Sequence, residues 1–315
     1  MHSVLDPAEI ERAARLLRAG RLVAFPTETV YGLGANALDP DAVARIYAVK
    51  GRPPTSPLIV HVASIEMAKS LVTDWPDVSA RLANRYWPGP LTLVLEKTSA
   101  IPSIVTAGLS TVGLRMPAHP IALALISAAG VPLAAPSANR FTELSPTTAD
   151  HVRRSLGNDV DLILDGGPCQ VGIESTVLSL AGPQPVLLRP GGISRADLEA
   201  VVGPVASAAE VTTGAHPSPG MHPRHYSPRT RLLLVKDGNV PDQGRGIYLQ
   251  HKRPPSRKDI EIVRMPIDAV DYAAALYDKL HEADAVHSDW IAVDAPPDTS
   301  DWEAVNDRLS RASSK

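Results

Sequence analysis

The sequence has little cysteine, few aromatic side chains and no long apolar run. Cys169 is the single cysteine in 315 residues, which excludes an internal disulfide and predicts a reducing compartment, with the thiol buried and inert. Aromatic residues make up only 4%, so the core must consist mainly of Ala, Val, Leu and Ile. No segment is long enough to span a bilayer and no signal peptide is visible, so we expect a soluble cytoplasmic protein with no membrane partner.

The sequence also lacks an excess of positive charge. Its formal net charge is −3, so no global basic field attracts nucleic acid, and any anion site must be local. The length and the 44% hydrophobic content are sufficient for two folded domains.

Hydrophobic periodicity predicts an α/β fold with a mixed, twisted sheet. A helix is expected from Pro7 to about residue 19, capped by Asp6 and ended by Gly20. Apolar runs predict strands at 21–25, 57–62, 91–96, 111–116, 131–135, 161–167 and 175–180. They alternate with predicted helices at 40–49, 77–86, 119–129 and 146–156.

A Pro-, Gly- and Ser-rich segment predicts a domain boundary. We expect one domain at 1–203, a linker at 204–229 and a small α/β domain at 230–315. The last of these has predicted strands at 230–235, 246–250, 261–266 and 289–294 and helices at about 267–285 and 301–311. It has no Gly-rich phosphate loop, so no cofactor is assigned to it.

Polar residues follow the first strand, in "FPTETVYGLGANA" (25–37). Thr27, Thr29 and Tyr31 supply hydroxyl groups, and Gly32 and Gly34 would let backbone amides approach a ligand beyond the strand end. A tight strand-to-helix turn capped by threonines explains the same pattern, so the segment alone does not establish a site.

Cations and further hydroxyl groups recur at later strand and helix ends. Arg115 ends a buried strand and needs an anionic partner, for which its planar fork suits a carboxylate. Lys50 and Arg52 at a helix end could be solvated surface cations, and His61 could be a satisfied core histidine. Other candidates are Ser137, Asn139, Ser145, Ser175, Thr176 and Arg189. The set has no acid–base pair and no metal-ligand cluster, and therefore predicts a site for anions and polar small molecules.

Seven motifs in order make the chain resemble the Sua5/YrdC/YciO family. They are "FPTETVYGLGANA", "KGRPPTSPLIVHV", "WPGPLTLVL", "GLRMPAHP", "APSANRFTELSPT", "GIESTV" and "LLRPGGIS". The resemblance extends almost continuously over residues 7 to about 200. The K-x-R of Lys50 and Arg52 with the S-x-N of Ser137 and Asn139 matches the family signature. The resemblance implies a YrdC-like twisted mixed sheet with helices and an open ligand cleft, followed by a small C-terminal α/β Sua5 domain.

The resemblance also implies a nucleotidyltransferase that makes threonylcarbamoyl-AMP and pyrophosphate from L-threonine, bicarbonate and ATP. The product would pass to the tRNA threonylcarbamoyl-transferase machinery for the t6A modification at position 37. The sequence shows no convincing carboxylate pair to hold Mg²⁺, so we expect the metal to arrive with ATP. The family's catalytic positions fall on Lys50 and Arg52, and its threonine site on Thr29, His61, Arg115, the backbone of Ala135, and Ser175. Its ATP site falls on Lys50, Arg52, Ser56, Thr111, Ser137, Asn139, Ser145, Arg189 and Tyr226.

The linker motif "SPGMHPRHYSP" (218–228) is unusually specific for a tether. It places His222, Arg224, His225 and Tyr226 between prolines, and we expect it to close over the nucleotide.

A different class of function also fits the sequence. A basic rim of Lys50, Arg52, Arg140 and Arg189 could bind structured RNA and make the chain an RNA-binding or ribosome-maturation factor. Direct tRNA binding stays open, although the acidic overall charge favours the enzyme.

Overall fold

An amphipathic helix opens the described part of the chain. The computed structural model describes residues 6–207 and 225–314. Helix α1 (Pro7–Arg18) starts where the sequence predicts, because the Asp6 carboxylate accepts a hydrogen bond from the Ala8 N–H at 2.9 Å. Its apolar face, which includes the fully buried Leu17, packs against the sheet described next.

The first unit contains a mixed sheet, as predicted. Its strands are β1 (Val23–Phe25), β2 (Gly32–Asn36), β3 (Ile59–His61), β4 (Leu91–Glu96), β5 (Thr111–Arg115), β6 (Leu133–Ala134), β7 (Leu162–Ile163), β8 (Thr176–Ser179), β9 (Val186–Arg189) and β10 (Ala206–Ser207). Their order across the sheet is β10-β9-β8-β4-β5-β3-β6-β2-β1-β7. The pairs β3–β5 and β4–β8 are parallel, whereas β4–β5 and β3–β6 are antiparallel. Strand β10 pairs with β9, so this sheet continues beyond residue 203.

Helices cover both faces of this sheet. They are α2 (Pro40–Lys50), α3 (Ile65–Ser70), α4 (Asp77–Tyr86), α5 (Pro120–Ala129), α6 (Ala149–Leu156) and α7 (Arg195–Val202). Helix α6 starts three residues later than predicted because Thr148 caps it, accepting the His151 N–H at 3.3 Å. The sequence did not predict α3 and α7. Helices α1 and α5 cover one core, and α2 and α4 contribute to a larger one on the opposite face.

The segment after β1 does not form the strand-to-helix turn that the sequence allows. Gly32–Asn36 forms β2, antiparallel to β1, so no strand-to-helix turn exists there. A Cβ on Gly34 would lie 2.7 Å from the Phe25 ring, so this glycine makes room for an aromatic side chain. Packing against Phe25 therefore explains the glycine at this position, and a contact between the Gly34 amide and a ligand stays a prediction.

The second unit is a parallel sheet with two helices. Its strands are β11 (Arg231–Val235), β12 (Gly246–Gln250), β13 (Glu261–Arg264) and β14 (Trp290–Asp294), in the order β11-β14-β12-β13. Its helices are α8 (Ala269–Ala285) and α9 (Glu303–Ser313). All six elements lie within a few residues of their predicted positions. Most of the predicted linker, including His222 and Arg224, lies outside the described residues.

The two units share one apolar core. Val30, Leu144 and Ile173 of the first unit pack with Tyr226 and with residues of the second, including Tyr277 on α8. The second unit therefore lies against the loops that leave the first sheet. Cys169 is buried, as predicted, and burial raises the pKa of its thiol. Within residues 6–207 and 225–314, no helix combines the length and apolarity that crossing a membrane requires.

Candidate functional site

One cleft, formed where loops of the first unit meet Tyr226, collects polar side chains from distant parts of the sequence. Nine of the residues that the family resemblance assigns to the site line it: Thr29, Arg52, His61, Arg115, Ala135, Ser137, Ser175, Arg189 and Tyr226. They come from β3, β5 and β9 and from the loops that flank β1, α2, β6 and β8. The cleft is where the polar strand-end residues converge.

Five other predicted residues lie outside this lining. Ser56, Asn139 and Ser145 make hydrogen bonds in the surrounding wall, and Lys50 lies behind Ser137. Thr111 begins β5, whereas Arg115 ends it, and Thr111 lines a separate small cavity that shares only Ile59 with the cleft. The structure therefore does not bring Thr111 into the main cleft.

Lys50 is buried, which excludes a solvated surface cation. It ends α2, where Gly51 adopts a left-handed conformation with φ 63°. Its ammonium group donates to the Ser137 carbonyl at 2.6 Å and also to the Asn139 carbonyl. Burial, with the nearby Arg52 charge, holds the pKa of Lys50 well below its usual value. Lys50 thus fixes the S-x-N segment that carries Ser137 to the cleft.

Arg52 is also buried, but it reaches the cleft. Its guanidinium donates to the Ser56 hydroxyl at 2.6 Å and to the Pro57 carbonyl at 3.0 Å, which holds its plane fixed. Burial lowers the pKa of Arg52 to about 10, so the group stays cationic at neutral pH. Phe141 lies beside it, with 5.8 Å between the guanidinium carbon and the ring centroid.

Arg115 has the anionic partner that the sequence predicts, and this partner is a side chain of the protein itself, Glu28. Its Nη2 lies 2.6 Å from Oε1 of Glu28, and its Nε donates to the Gly89 carbonyl at 3.2 Å. The other Glu28 oxygen accepts the Ala118 N–H at 3.0 Å. Glu28 lies within 25–37, but the sequence analysis selected only hydroxyl groups and glycines from that segment and missed it. Strands β3 and β5 pair in parallel with His61 opposite Arg115, so the sheet places these two residues next to each other.

Several buried polar atoms of cleft residues have no hydrogen-bond partner in the described part of the chain. They include Nδ1 of His61, the hydroxyl of Tyr226 and Nη2 of Arg115, the last of which lies within ion-pair distance of Glu28. Burial, followed by the Arg115 charge, lowers the pKa of His61 to about 3, so its imidazole is neutral. Tyr226 has φ 60°, a left-handed conformation that is rare outside glycine. Buried polar atoms without partners indicate a place where a ligand binds.

Arg189 and Ser175 form the third polar corner. Arg189 donates to the carbonyl and the hydroxyl of Ser175, both at 3.1 Å. The Ser175 hydroxyl is also 2.8 Å from that of Thr92 on β4. Glu174, next to Ser175 in the sequence, also lines the cleft. Sequence reasoning took Ser175 and Thr176 from "GIESTV" but passed over Glu174.

The predicted basic rim for RNA does not form. Lys50, Arg52 and Arg189 are at least 94% buried, and Arg140 is engaged by Asp159 at 2.7 Å. Of these four cations, only Arg52 and Arg189 line the confined cleft. Among the residues that the structure describes, no group of three His, Cys, Asp or Glu side chains could hold a metal ion.

Two family models match the chain. The Sua5–YciO–YrdC model, described as "Telomere recombination", matches residues 15–191, and one described as "Threonylcarbamoyl-AMP synthase, C-terminal domain" matches residues 193–314. The threonylcarbamoyl-AMP synthase of Bacillus subtilis is 43% identical over 98% of this chain and 94% of its own. That of Pyrococcus abyssi is 49% identical over 74% of this chain and 69% of its own.

The fold comparison agrees with the sequence comparison. The crystal structure of P. abyssi Sua5 complexed with L-threonine matches with a TM-score of 0.90 and 39% identity, covering 98% of this chain and 95% of that one. Both units of this chain are therefore included in the similarity.

Proposed function

The chain belongs to the Sua5–YciO–YrdC family, and from that premise we propose that it is an enzyme that makes threonylcarbamoyl-AMP. The overall reaction joins L-threonine, bicarbonate and ATP and releases pyrophosphate and water. The observation that carries the proposal is the convergence of three buried guanidinium groups, those of Arg52, Arg115 and Arg189, on one cleft. Such a cleft suits a substrate carboxylate together with a polyphosphate.

Arg115 binds the threonine carboxylate in this proposal. Glu28 and the Gly89 carbonyl fix the guanidinium from one side, so the arginine is oriented before the substrate arrives. Its neighbour His61 is neutral, and its buried Nδ1 has no hydrogen-bond partner among the described residues, which suits a hydrogen bond to a polar group of threonine. Thr29, Ala135 and Ser175 complete the proposed threonine side.

Arg52 and Arg189 bind the phosphates of ATP in the same proposal. In the first step the neutral threonine amine attacks the carbon of bicarbonate, and a carbamate forms with loss of water. In the second step a carbamate oxygen attacks the α-phosphorus, and the bond to the β,γ-pyrophosphate breaks. Two fixed cations offset the charge that develops on the leaving pyrophosphate, so positioning and electrostatics supply most of the catalysis. Ser137 and the Tyr226 hydroxyl donate further hydrogen bonds at the nucleotide.

Mg²⁺ belongs to the triphosphate in this proposal. The two carboxylates next to the cleft, Glu28 and Glu174, are each engaged by an arginine, at 2.6 and 2.9 Å, so neither fits a metal ligand. We therefore assign no step to a protein-bound metal, and we place the product upstream of the machinery that transfers the threonylcarbamoyl group to tRNA.

The direct test is to incubate the purified protein with ATP, labelled bicarbonate and threonine. We expect labelled threonylcarbamoyl-AMP and one pyrophosphate per product, both dependent on threonine. No threonine-dependent pyrophosphate over a range of Mg²⁺ concentrations would overturn the proposal. An RNA-binding function would instead predict no rise in melting temperature with ATP and threonine.

A further inference from the structure

One arginine of the second unit reaches into the wall of the cleft. Arg308 lies on α9, and its side chain is 1% exposed. Its Nε donates to Oε2 of Glu174 at 2.9 Å, its Nη2 to the Glu174 carbonyl at 3.3 Å, and its Nη1 to the Pro190 carbonyl at 2.8 Å. Asp307 supports Nη1 from behind at 2.9 Å. A single planar group thus joins two segments of the first unit.

Those two segments carry residues of the proposed substrate sites. Ser175 follows Glu174, and Arg189 precedes Pro190. The segments approach so closely that a Cβ on Gly191 would lie 2.3 Å from the Thr176 nitrogen. Arg189 holds them together on the cleft side through Ser175, while Arg308 holds them together from the second unit.

The Glu174 carboxylate is fixed by donors from both units. Ser145 donates to it at 2.5 Å and the Tyr277 hydroxyl at 3.1 Å, in addition to Arg308. Burial would raise the pKa of Glu174, but the charges of Arg308 and Arg189 hold it below its ordinary value. The Glu174 carboxylate is therefore ionised, and it is stabilised by the charges of Arg308 and Arg189.

The same cluster supports Tyr226. The Arg308 guanidinium carbon lies 5.3 Å from the centroid of the Tyr226 ring, and the Tyr226 and Tyr277 rings are 5.9 Å apart. Helices α8 and α9 therefore hold in place a residue that closes one side of the cleft.

We propose that Arg308 and Tyr277 are positioning residues for the reaction, so that the C-terminal unit forms the outer wall of the active site. The inference rests on the proposed function. Arg308 sets the distance between the segment that carries Ser175 and the segment that carries Arg189. Tyr277 fixes the position of the Glu174 carboxylate. Lysine cannot replace Arg308, because one ammonium group cannot span two carbonyls and a carboxylate with the planar fork's geometry.

The test compares Arg308→Lys with wild type in threonine and ATP titrations, at a temperature where circular dichroism shows both fully folded. Lysine keeps the charge opposite Glu174 but loses the fork. We expect kcat/KM to fall about a hundredfold for both substrates, the loss typical of reacting groups displaced by about 1 Å. Tyr277→Phe should change kcat/KM in the same direction by a smaller factor.

Matched controls separate positioning from stability. Arg253 also pairs with a buried carboxylate of the second unit, Asp294, at 2.9 Å, and Tyr248 donates to a backbone carbonyl there, but neither lines the cleft. We expect Arg253→Met and Tyr248→Phe to lower the melting temperature and to leave kcat/KM unchanged in the folded protein. If Arg308→Lys does not fold, Arg308→Met combined with Glu174→Gln removes the buried charge pair and should show the same catalytic loss.

Wild-type activity in Arg308→Lys, or an equal loss in Arg253→Met, would overturn the inference. Failure of the proposed function looks different, because wild type itself would then make no threonylcarbamoyl-AMP.

Discussion

The Glu28 carboxylate lies 2.6 Å from the Arg115 guanidinium, and both side chains are more than 90% buried. A charge pair so deeply buried is costly to desolvate, and removing one partner leaves the other without compensation. The pair therefore couples the proposed threonine site to the stability of the fold, and a substitution at Arg115 has two separable effects.

We predict that Arg115→Ala weakens threonine binding by about thirtyfold to a thousandfold, corresponding to a loss of roughly 2–4 kcal/mol for a truncated buried charge contact. ATP binding should hardly change. Calorimetric titration of each substrate checks this, and equal losses for both would indicate a purely structural arginine.

The second effect of Arg115→Ala is a lower melting temperature, because Glu28 remains buried without its cation. Adding Glu28→Gln should restore much of the stability but none of the threonine affinity. Recovery of threonine binding in the double variant would contradict the proposed role of Arg115.

We predict different behaviour for the two cations of the K-x-R motif. Arg52→Ala should raise the ATP requirement and lower stability less than Lys50→Ala does, because Arg52 faces the cleft and water there can hydrate the Pro57 carbonyl that loses its donor. Lys50→Ala should also lower stability by about 1–3 kcal/mol, since it leaves the buried carbonyls of Ser137 and Asn139 without their donor. ATP titrations and thermal unfolding distinguish the two, and an unchanged ATP requirement in the double variant would remove both from the site.

The fold was largely predictable, because hydrophobic runs and capping residues act locally. Asp6 starts α1 as its sequence context predicts, and all four strands of the second unit lie where the apolar runs occur. Strand β2 was missed because Gly34 is explained only by the Phe25 ring opposite it. Most cleft residues could be predicted from polar side chains at strand and helix ends, whereas Ala135 and Tyr226 followed from the family resemblance.

The buried ion pairs Glu28–Arg115 and Glu174–Arg308 could not be predicted from the sequence. Glu174 and Arg308 are 134 residues apart and belong to different units, and no local pattern links them. Arg308 has the residue type of an exposed position on a polar C-terminal helix, and only the packing of the units shows that it is buried.

A third prediction concerns pH. His151 and His281 stack across the boundary between the units with 3.8 Å between ring centroids, and Asp278 and Arg154 lie near them. Burial lowers the pKa of His151 to about 4 and that of His281 to about 3. Both histidines are therefore neutral when folded.

Because the folded pKa values lie below the unfolded value of about 6.5, the unfolded chain binds more protons below that pH. The free energy of unfolding carries no penalty from these histidines above pH 6.5. It falls as the pH drops toward 4, by up to about 1.4 kcal/mol per pH unit for each histidine. Denaturant unfolding between pH 7.5 and 4.5 measures the slope. His281→Gln should reduce the slope by an amount that corresponds to the uptake of about one proton on unfolding. An unchanged slope would show that His281 does not contribute.

The last prediction concerns the Tyr226 hydroxyl, which is buried and has no hydrogen-bond partner among the described residues. A buried donor without a partner destabilises the unliganded protein, so Tyr226→Phe should leave its melting temperature unchanged or slightly higher. If the hydroxyl donates to the nucleotide, the same substitution should weaken ATP binding by about tenfold to a hundredfold, the value of a hydrogen bond to a charged acceptor at roughly 1.5–3 kcal/mol. Thermal unfolding with and without ATP and threonine measures both effects. If Tyr226→Phe raises the melting temperature without ligand and lowers it with ATP and threonine, the hydroxyl binds the ligand. A lower melting temperature without ligand, together with unchanged ATP binding, would make Tyr226 a core residue.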